Sequence, residues 1–328
     1  MKLYKINKLL VVRLSSLGDI LLTTPLIRSI KKQYPGIKLD FLLKREYYDL
    51  LKLNPNLNKI LIYENEKEKI KNLKDEICRN DYDAIIDLQN NFRTLLLLKC
   101  YGSSVTGFKK RKLDKFLLVH FKINRLKEAY SIPERYAEII DDIELDENGL
   151  ELFTDKPPGE LLKKNKDIIG ICPGSKHFTK MWLKDYYIEL GKLLEDNGYN
   201  VALFGGADDK IICTEIEERL TSAINLCNDN KILQTVADMK QCKVIYCNDS
   251  GLMHTAAAAG IPVIVFFGST VKEFGFFPYK SRNLILENNS LSCRPCTHIG
   301  RSGCPKKHFK CMREITPYLA FEKLKLFV

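Results

Sequence analysis

A chain of 328 residues, 45% apolar and 28% charged, has the length for about two domains and enough apolar material for sizeable cores, which excludes a disordered or collagen-like protein. No apolar run reaches the roughly 18 residues that a membrane-spanning helix needs, and the opening MKLYKINKLLVVRLSSLGD, its short apolar stretch broken by Arg13, reads as a first core strand and not a secretory leader, so a cytoplasmic location is expected. The net charge of +11 is lopsided: residues 1–140 hold 28 Lys and Arg against 16 Asp and Glu, the other 188 hold 24 against 25, and the excess reads either as solubility or as a surface that meets something anionic.

The first segment, KLLVVRL (8–14), is a continuous apolar run of the kind found in a buried parallel strand. SSLGD follows, then LLTTPLIRSIKKQYP, with apolar residues at helical spacing and a closing proline. KLDFLLK (38–44) and KILIY (59–63) read as strands, residues 64–80 as a charged helix, and YDAIIDLQ (82–89) as a strand again. Strands alternating with helices predict βαβ units and a parallel sheet covered by helices. Between 99 and 127 lie Lys99, Lys109, Lys110, Arg111, Lys112, Lys115, Lys122, Arg125 and Lys127, with Asp114 the sole acid and the apolar FLLVHF (116–121) among them. This run is either ordinary core with a lysine-rich rim or a basic, apolar surface that docks the N-terminal domain on an anionic membrane.

TDKPPGELLKKNKD (154–167) turns polar and is the linker. Beyond it DIIGICPG (167–174), YNVALFGG (199–206), KVIYCND (243–249) and IPVIVFFGS (261–269) alternate with helices at 183–197 and 208–222 and with a small-residue helix after Asp249. The domains are therefore set at 1–155 and 156–328, with the C-terminal helix free to pack back on the first. Two such α/β domains leave a cleft, and their ligands bind beyond the carboxyl ends of the strands.

Three strand-to-helix junctions carry candidate chemistry. In Ser15-Ser16-Leu17-Gly18-Asp19, Gly18 permits a sharp turn and Asp19 stands at the positive end of a helix, as an N-cap or as a functional carboxylate. Pro173-Gly174-Ser175, followed by Lys176 and Lys180, offers backbone N–H groups to an anion, although neither the Walker spacing nor GxGxxG is present. Asn248 to Ala256 opens an Ala-rich helix that would present the Ser250 and Gly251 amides to a phosphate, with His254 one turn in as core or as ligand contact.

Of eleven cysteines, seven (Cys78, Cys100, Cys172, Cys213, Cys227, Cys242, Cys247) sit mostly in apolar runs, as small hydrophobes do. Cys293, Cys296, Cys304 and Cys311 read C-x2-C-x7-C-x6-C, with His298 and His308 inside. That set suits a compact structural Zn²⁺ knuckle, a packed group of thiols or a labile disulfide pair, and a reducing cytosol disfavours disulfides.

Taken in order, VVRLSSLGDILLTTPLIRSIKKQYP, IIDLQNNFRT, GICPGSKHFTKMW, ALFGGADD and NDSGLMHTAAAAGIPVIVFFGST resemble glycosyltransferase family 9, the heptosyltransferases of the lipopolysaccharide inner core. The C-terminal CRPCTHIGRSGCPKKHFKCMREITP is like that of the family's second heptosyltransferase type. The resemblance implies a GT-B fold, two Rossmann-like domains with parallel sheets facing a central cleft, the first binding acceptor and the second nucleotide sugar. It implies inverting transfer by one in-line displacement, with no metal ion or other cofactor in catalysis.

Residue by residue, Asp19 matches the general base, a role that a partly desolvating cleft would favour by lifting its proton affinity. Lys180 matches the lysine that neutralises the leaving diphosphate, and Ser175 a hydroxyl beside the same phosphates. Lys176 stands where some relatives carry threonine. Asp208 matches the ribose-binding acid, and Asp249, Ser250, Gly251 and His254 match the loop and helix start that hold sugar and diphosphate. Ser15, Ser16 and Gly18 lie on the acceptor side with Arg93, a residue suited to bidentate phosphate or carboxylate recognition. The implied partners are an ADP-sugar, a Kdo–lipid A type acceptor and the anionic inner face of the inner membrane, where the protein would sit peripherally. Another nucleotide sugar or a later core acceptor stays open within the family. A nucleotide- or nucleic-acid-binding module is the reading outside it, but the chain lacks basic motifs interleaved with aromatics, so no nucleic acid is expected.

Overall fold

In a computed structural model, which describes residues 1–126, 130–163, 165–229 and 231–328, the apolar runs become two separate parallel sheets. The first unit comprises Met1–Arg111 and Ile132–Phe153. Its strands are β1 (Lys8–Val12), β2 (Lys38–Lys44), β3 (Lys59–Tyr63), β4 (Ala84–Asp87) and β5 (Val105–Gly107), in the order β3-β2-β1-β4-β5. Val12 pairs with Leu42 on one side and Asp87 on the other. Central strands buried on both faces need apolar side chains at nearly every position, which is why β1 and β2 were legible as runs.

The helix expected after β1 is interrupted: Leu17–Leu21 and Thr24–Gln33 are separate helices. Pro25 has no N–H to continue the ladder, and the Thr23 and Thr24 hydroxyls bond back to the Ile20 and Leu21 carbonyls at 2.6 and 2.7 Å. Cys78 and Cys100, expected as packed thiols, are joined by a disulfide. The Tyr101 hydroxyl donates to the Ile77 carbonyl at 2.7 Å, which holds the helix Lys67–Arg79 against the turn that carries Cys100.

The second unit comprises Lys112–Ser131 and Thr154–Val328. Its strands are β6 (Ile168–Cys172), β7 (Asn200–Leu203), β8 (Ile224–Asn225), β9 (Cys242–Asn248), β10 (Val263–Phe267) and β11 (Asn283–Glu287), all parallel, in the order β11-β10-β9-β6-β7-β8. One face of this sheet buries Trp182, stacked on Phe266 at 4.1 Å. The C-terminal helix Pro317–Leu324 sends Ala320 and Leu324 into this core. It is held there by hydrogen bonds from Trp182 Nε1 to the Ile315 carbonyl and from the Tyr246 hydroxyl to the Ala320 carbonyl.

Residues 112–131, assigned from sequence to the first domain, group with the second unit. Leu118, Val119 and Leu126 pack on Phe274, and Lys122 Nζ donates to the Pro295 carbonyl at 2.7 Å. FLLVHF is thus divided: Leu118 and Val119 are core, whereas Phe116 and Phe121 are exposed. Lys127 lies outside the described residues.

In each sheet the chain order reverses once, between β1 and β4 and between β6 and β9. Connections leave such neighbouring strands toward opposite faces, which opens a crevice at their carboxyl ends. All three candidate junctions sit at these two points.

Candidate active site

At the carboxyl end of β1 the chain stays extended through Ser16 (φ −97°, ψ −172°) and enters the helix Leu17–Leu21. Gly18, expected to make the turn, is instead a buried residue within that helix, which begins directly after the extended Ser16. Asp19 folds back over this start. Its Oδ2 accepts from the Ser16 backbone N–H at 3.1 Å and from Ser16 Oγ at 2.7 Å, while Oδ1 meets Arg13 Nη2 at 2.5 Å. Arg13 Nη1 in turn donates to the Leu88 carbonyl of the loop after β4 at 2.6 Å. Burial alone would raise the Asp19 pKa, but the Arg13 charge and the Ser16 hydrogen bonds outweigh it, and the carboxyl is held below its ordinary value. The expected rise in proton affinity is therefore corrected to a fall.

Gln89 Oε1 accepts from the Leu14 and Ser15 N–H groups at 3.1 and 3.3 Å, tying the two strand ends together. Ser15 is half-buried there. Ser16 spends its hydroxyl on Asp19, which makes it a clamp for that carboxylate. Arg93 is exposed on the helix Phe92–Leu97, whose first turn is capped by Asn91 Oδ1 receiving the Arg93 and Thr94 N–H groups.

In the second unit Lys180 Nζ lies 2.7 Å from Asp249 Oδ2, and the same oxygen accepts from Thr270 Oγ1 at 2.6 Å. The Asp249 carboxylate, expected to face ligand, is thus occupied in placing Lys180. Asn248 is the hub beneath it: its Oδ1 accepts from the Trp182 N–H and the Tyr187 hydroxyl, and its Nδ2 donates to the Pro173 carbonyl at 2.8 Å. Each of those buried groups would cost about 1–3 kcal/mol if left unpaired, so this side chain fixes β6 and β9 end to end.

Ser175 is half-buried and Lys176 exposed on the turn after β6. Gly174 leaves room for the Asp209 carboxylate, because a Cβ there would fall 1.9 Å from Asp209 Oδ1 and displace it. Asp209 turns under this loop and accepts from the Gly206 N–H at 2.9 Å, whereas Asp208 is exposed. The helix Gly251–Ala258 begins at an extended Ser250. Ser250 Oγ is shielded from solvent without a partner among the described residues, and the first-turn amides beside it have no intrahelical acceptors. An anionic oxygen satisfies both. His254 is buried one turn in, at 4% exposure. Arg301 N–H and carbonyl clasp Thr179 at 2.9 and 3.1 Å, so the C-terminal loop braces the Lys180 turn.

Among the described residues no group of three or more Cys, His, Asp or Glu is placed to hold a metal ion. Cys311 is drawn into the apolar core with Met312, Cys304 packs on that core's edge, and Cys293 Sγ lies 3.9 Å from His308 Nε2. Arg294 braces the loop: its guanidinium donates to the Gly268, Asn288 and Thr270 carbonyls and pairs with Glu287 at 2.8 Å.

Two doubly wound parallel α/β units, one offering a clamped carboxylate and the other a cation beside an open helix start, have the architecture of GT-B glycosyltransferases. The model of glycosyltransferase family 9 (heptosyltransferase) matches residues 70–306, and the chain belongs to that family. It is 28% identical to lipooligosaccharide heptosyltransferase 2 of Campylobacter jejuni over 94% of both chains, and 27% identical to lipopolysaccharide heptosyltransferase 2 of Escherichia coli over 81% of this chain and 84% of that one. The E. coli ADP-heptose heptosyltransferase II structure superposes with a TM-score of 0.73 at 26% identity, covering 98% of each chain. A family 9 structure from Veillonella parvula gives 0.78 at 19% identity over 98% of this chain and 97% of that one, a likeness of fold.

Proposed function

We propose that this glycosyltransferase moves a heptose from ADP-heptose to the Kdo/heptose inner core of a lipopolysaccharide or lipooligosaccharide. The observation that carries the reading is Lys180 fixed by Asp249 beside the open start of the helix Gly251–Ala258, a place built for a leaving diphosphate, in a chain related end to end to heptosyltransferases of the second type. The acceptor hydroxyl attacks the anomeric carbon as its proton passes to Asp19. The bond to the diphosphate oxygen breaks on the opposite face, so configuration inverts. Lys180 and the helix-start amides take up the charge that grows on ADP, and the step uses no metal ion. Ser175, Lys176, Ser250 and Gly251 hold the phosphates, Asp208 the ribose, His254 the sugar side, and Ser15 and Arg93 the acceptor.

Purified protein given ADP-heptose and a Kdo–lipid A type acceptor is expected to add one heptose by mass spectrometry. Transfer only from a different nucleotide sugar, or stabilisation against heat by oligonucleotide alone, would overturn the assignment.

The same reading places the protein on the cytoplasmic face of an anionic membrane, where such an acceptor is anchored. Leu113, Phe116 and Phe121 are 63%, 51% and 63% exposed on or at the end of the helix Lys112–Phe121, flanked by exposed Lys109, Lys112 and Arg125. Each basic side chain near such a surface contributes about 1 kcal/mol, so changing these three to Gln should weaken binding to phosphatidylglycerol vesicles roughly 10²-fold at low salt. Vesicle co-sedimentation checks this. Equal sedimentation of variant and wild type removes the helix as the membrane contact.

A further inference from the structure

We infer that Arg13 is a positioning residue for the transfer: its ion pair orients the Asp19 carboxylate and leaves one defined place on that carboxylate for the acceptor hydroxyl. The inference rests on the proposed role of Asp19 as base. A carboxylate has about four lone-pair sites. On Asp19 the Ser16 N–H and Oγ fill both sites of Oδ2, and Arg13 Nη2 fills one of Oδ1. The remaining site is on the Arg13-bound oxygen.

Arg13 is itself immobile. It is 9% exposed, comes from the end of β1, and its second amino group is spent on the Leu88 carbonyl, so the guanidinium spans two neighbouring strand ends and Asp19 together. A residue that only neutralised charge would not need this fork, which lysine cannot reproduce.

The ion pair also has a chemical consequence. Accepting the acceptor's proton neutralises Asp19 beside a cation, so Arg13 weakens the base while keeping it fully ionised and aimed. The tyrosines around it stay protonated near neutrality. Tyr47, from the turn Arg45–Leu50, is pushed up to about 12 by burial and by Glu46 and Asp19, and Tyr136, from the helix Ile132–Ala137, is pushed up further by burial. Asp87, on the Arg13 side, is raised by burial and has Lys110 as its nearby cation.

The test is the pH profile of kcat/KM for wild type, Arg13→Gln and Arg13→Lys, between about pH 4 and 9.5. In Arg13→Gln the acid limb should move up by about 1–3 pH units, the scale of one close opposite charge. Its deficit against wild type should then widen as the pH falls, to severalfold near pH 4 and, at the upper end of that shift, to about tenfold already near pH 5.5. Arg13→Lys should keep the wild-type limb but turn over more slowly at every pH, with donor KM unchanged in both. A profile of Arg13→Gln parallel to wild type, as a merely structural role would give, overturns the inference. If Arg13→Gln does not fold, the wild-type profile decides: a rate flat down to about pH 5 supports the pairing, and a fall centred near neutrality overturns it. Asp19→Asn is measured alongside. If it turns over normally, the base assignment itself fails. If it is inactive while Arg13→Gln runs parallel to wild type, only the role of Arg13 is lost.

Discussion

Asp19→Asn is expected to lower turnover by roughly 10²-fold or more at saturating donor, the scale of losing a positioned general base. The substitution keeps the side chain's shape and one acceptor oxygen, but a neutral amide cannot take the proton of an attacking hydroxyl. Structurally it removes the counter-charge of a nearly buried guanidinium whose remaining contact is the Leu88 carbonyl. The lost pairing costs about 1–3 kcal/mol, enough to lower the melting temperature by some degrees without unfolding the chain. ADP affinity should be untouched, because the groups assigned to the diphosphate all belong to the second unit. The check is steady-state kinetics beside a calorimetric ADP titration. Near-normal turnover would place the base elsewhere.

The strands that carry the site were legible because both sheets are parallel and covered on both faces, so β1, β2, β6 and β10 had to be apolar nearly throughout. The strands absent from the sequence prediction are short or marginal: β5 has three residues, β8 two, and β11 is an edge strand with one fully buried side chain. The helix Lys112–Phe121 groups with the second unit for a reason of another kind. What assigns it is contact with Phe274, more than 150 positions away, and no local periodicity encodes that.

The same division runs through the site. Asp19 and Asp249 stood out as polar residues at the ends of apolar runs, and Lys180 through the resemblance to the family. Their partners did not: Thr270 reaches Asp249 across 21 residues, and Asn248 reaches Pro173 across 75. Arg13 gave a signal that was read only as an interruption of the first strand. A charge set into a central strand of a parallel sheet is almost never buried unpaired, and that rule pointed to a carboxylate nearby. Arg13 also reverses the sign expected for Asp19, since desolvation without a cation would have raised its pKa.

Lys180→Ala is the second large effect. Removing a preorganised donor at a site of developing negative charge costs about 10²–10³ in rate, and Lys180 is preorganised by a carboxylate that Thr270 fixes from the other side. Ground-state ADP should still bind, through the amides at the start of Gly251–Ala258 and the turn after β6, with affinity down only several-fold. The charge on the diphosphate grows as the bond to the anomeric carbon breaks, so an interaction that strengthens along this coordinate appears in kcat, whereas one equal in ground and transition states appears in KM alone. The split between kcat and donor KM is therefore the measurement. Alanine also leaves Asp249 facing Thr270 with no cation, so Asp249→Asn combined with Lys180→Ala should recover thermal stability but not turnover. If the variant changes donor KM and leaves kcat intact, Lys180 binds the donor without stabilising its departure, and the leaving-group charge must fall chiefly on the helix-start amides beside Ser250.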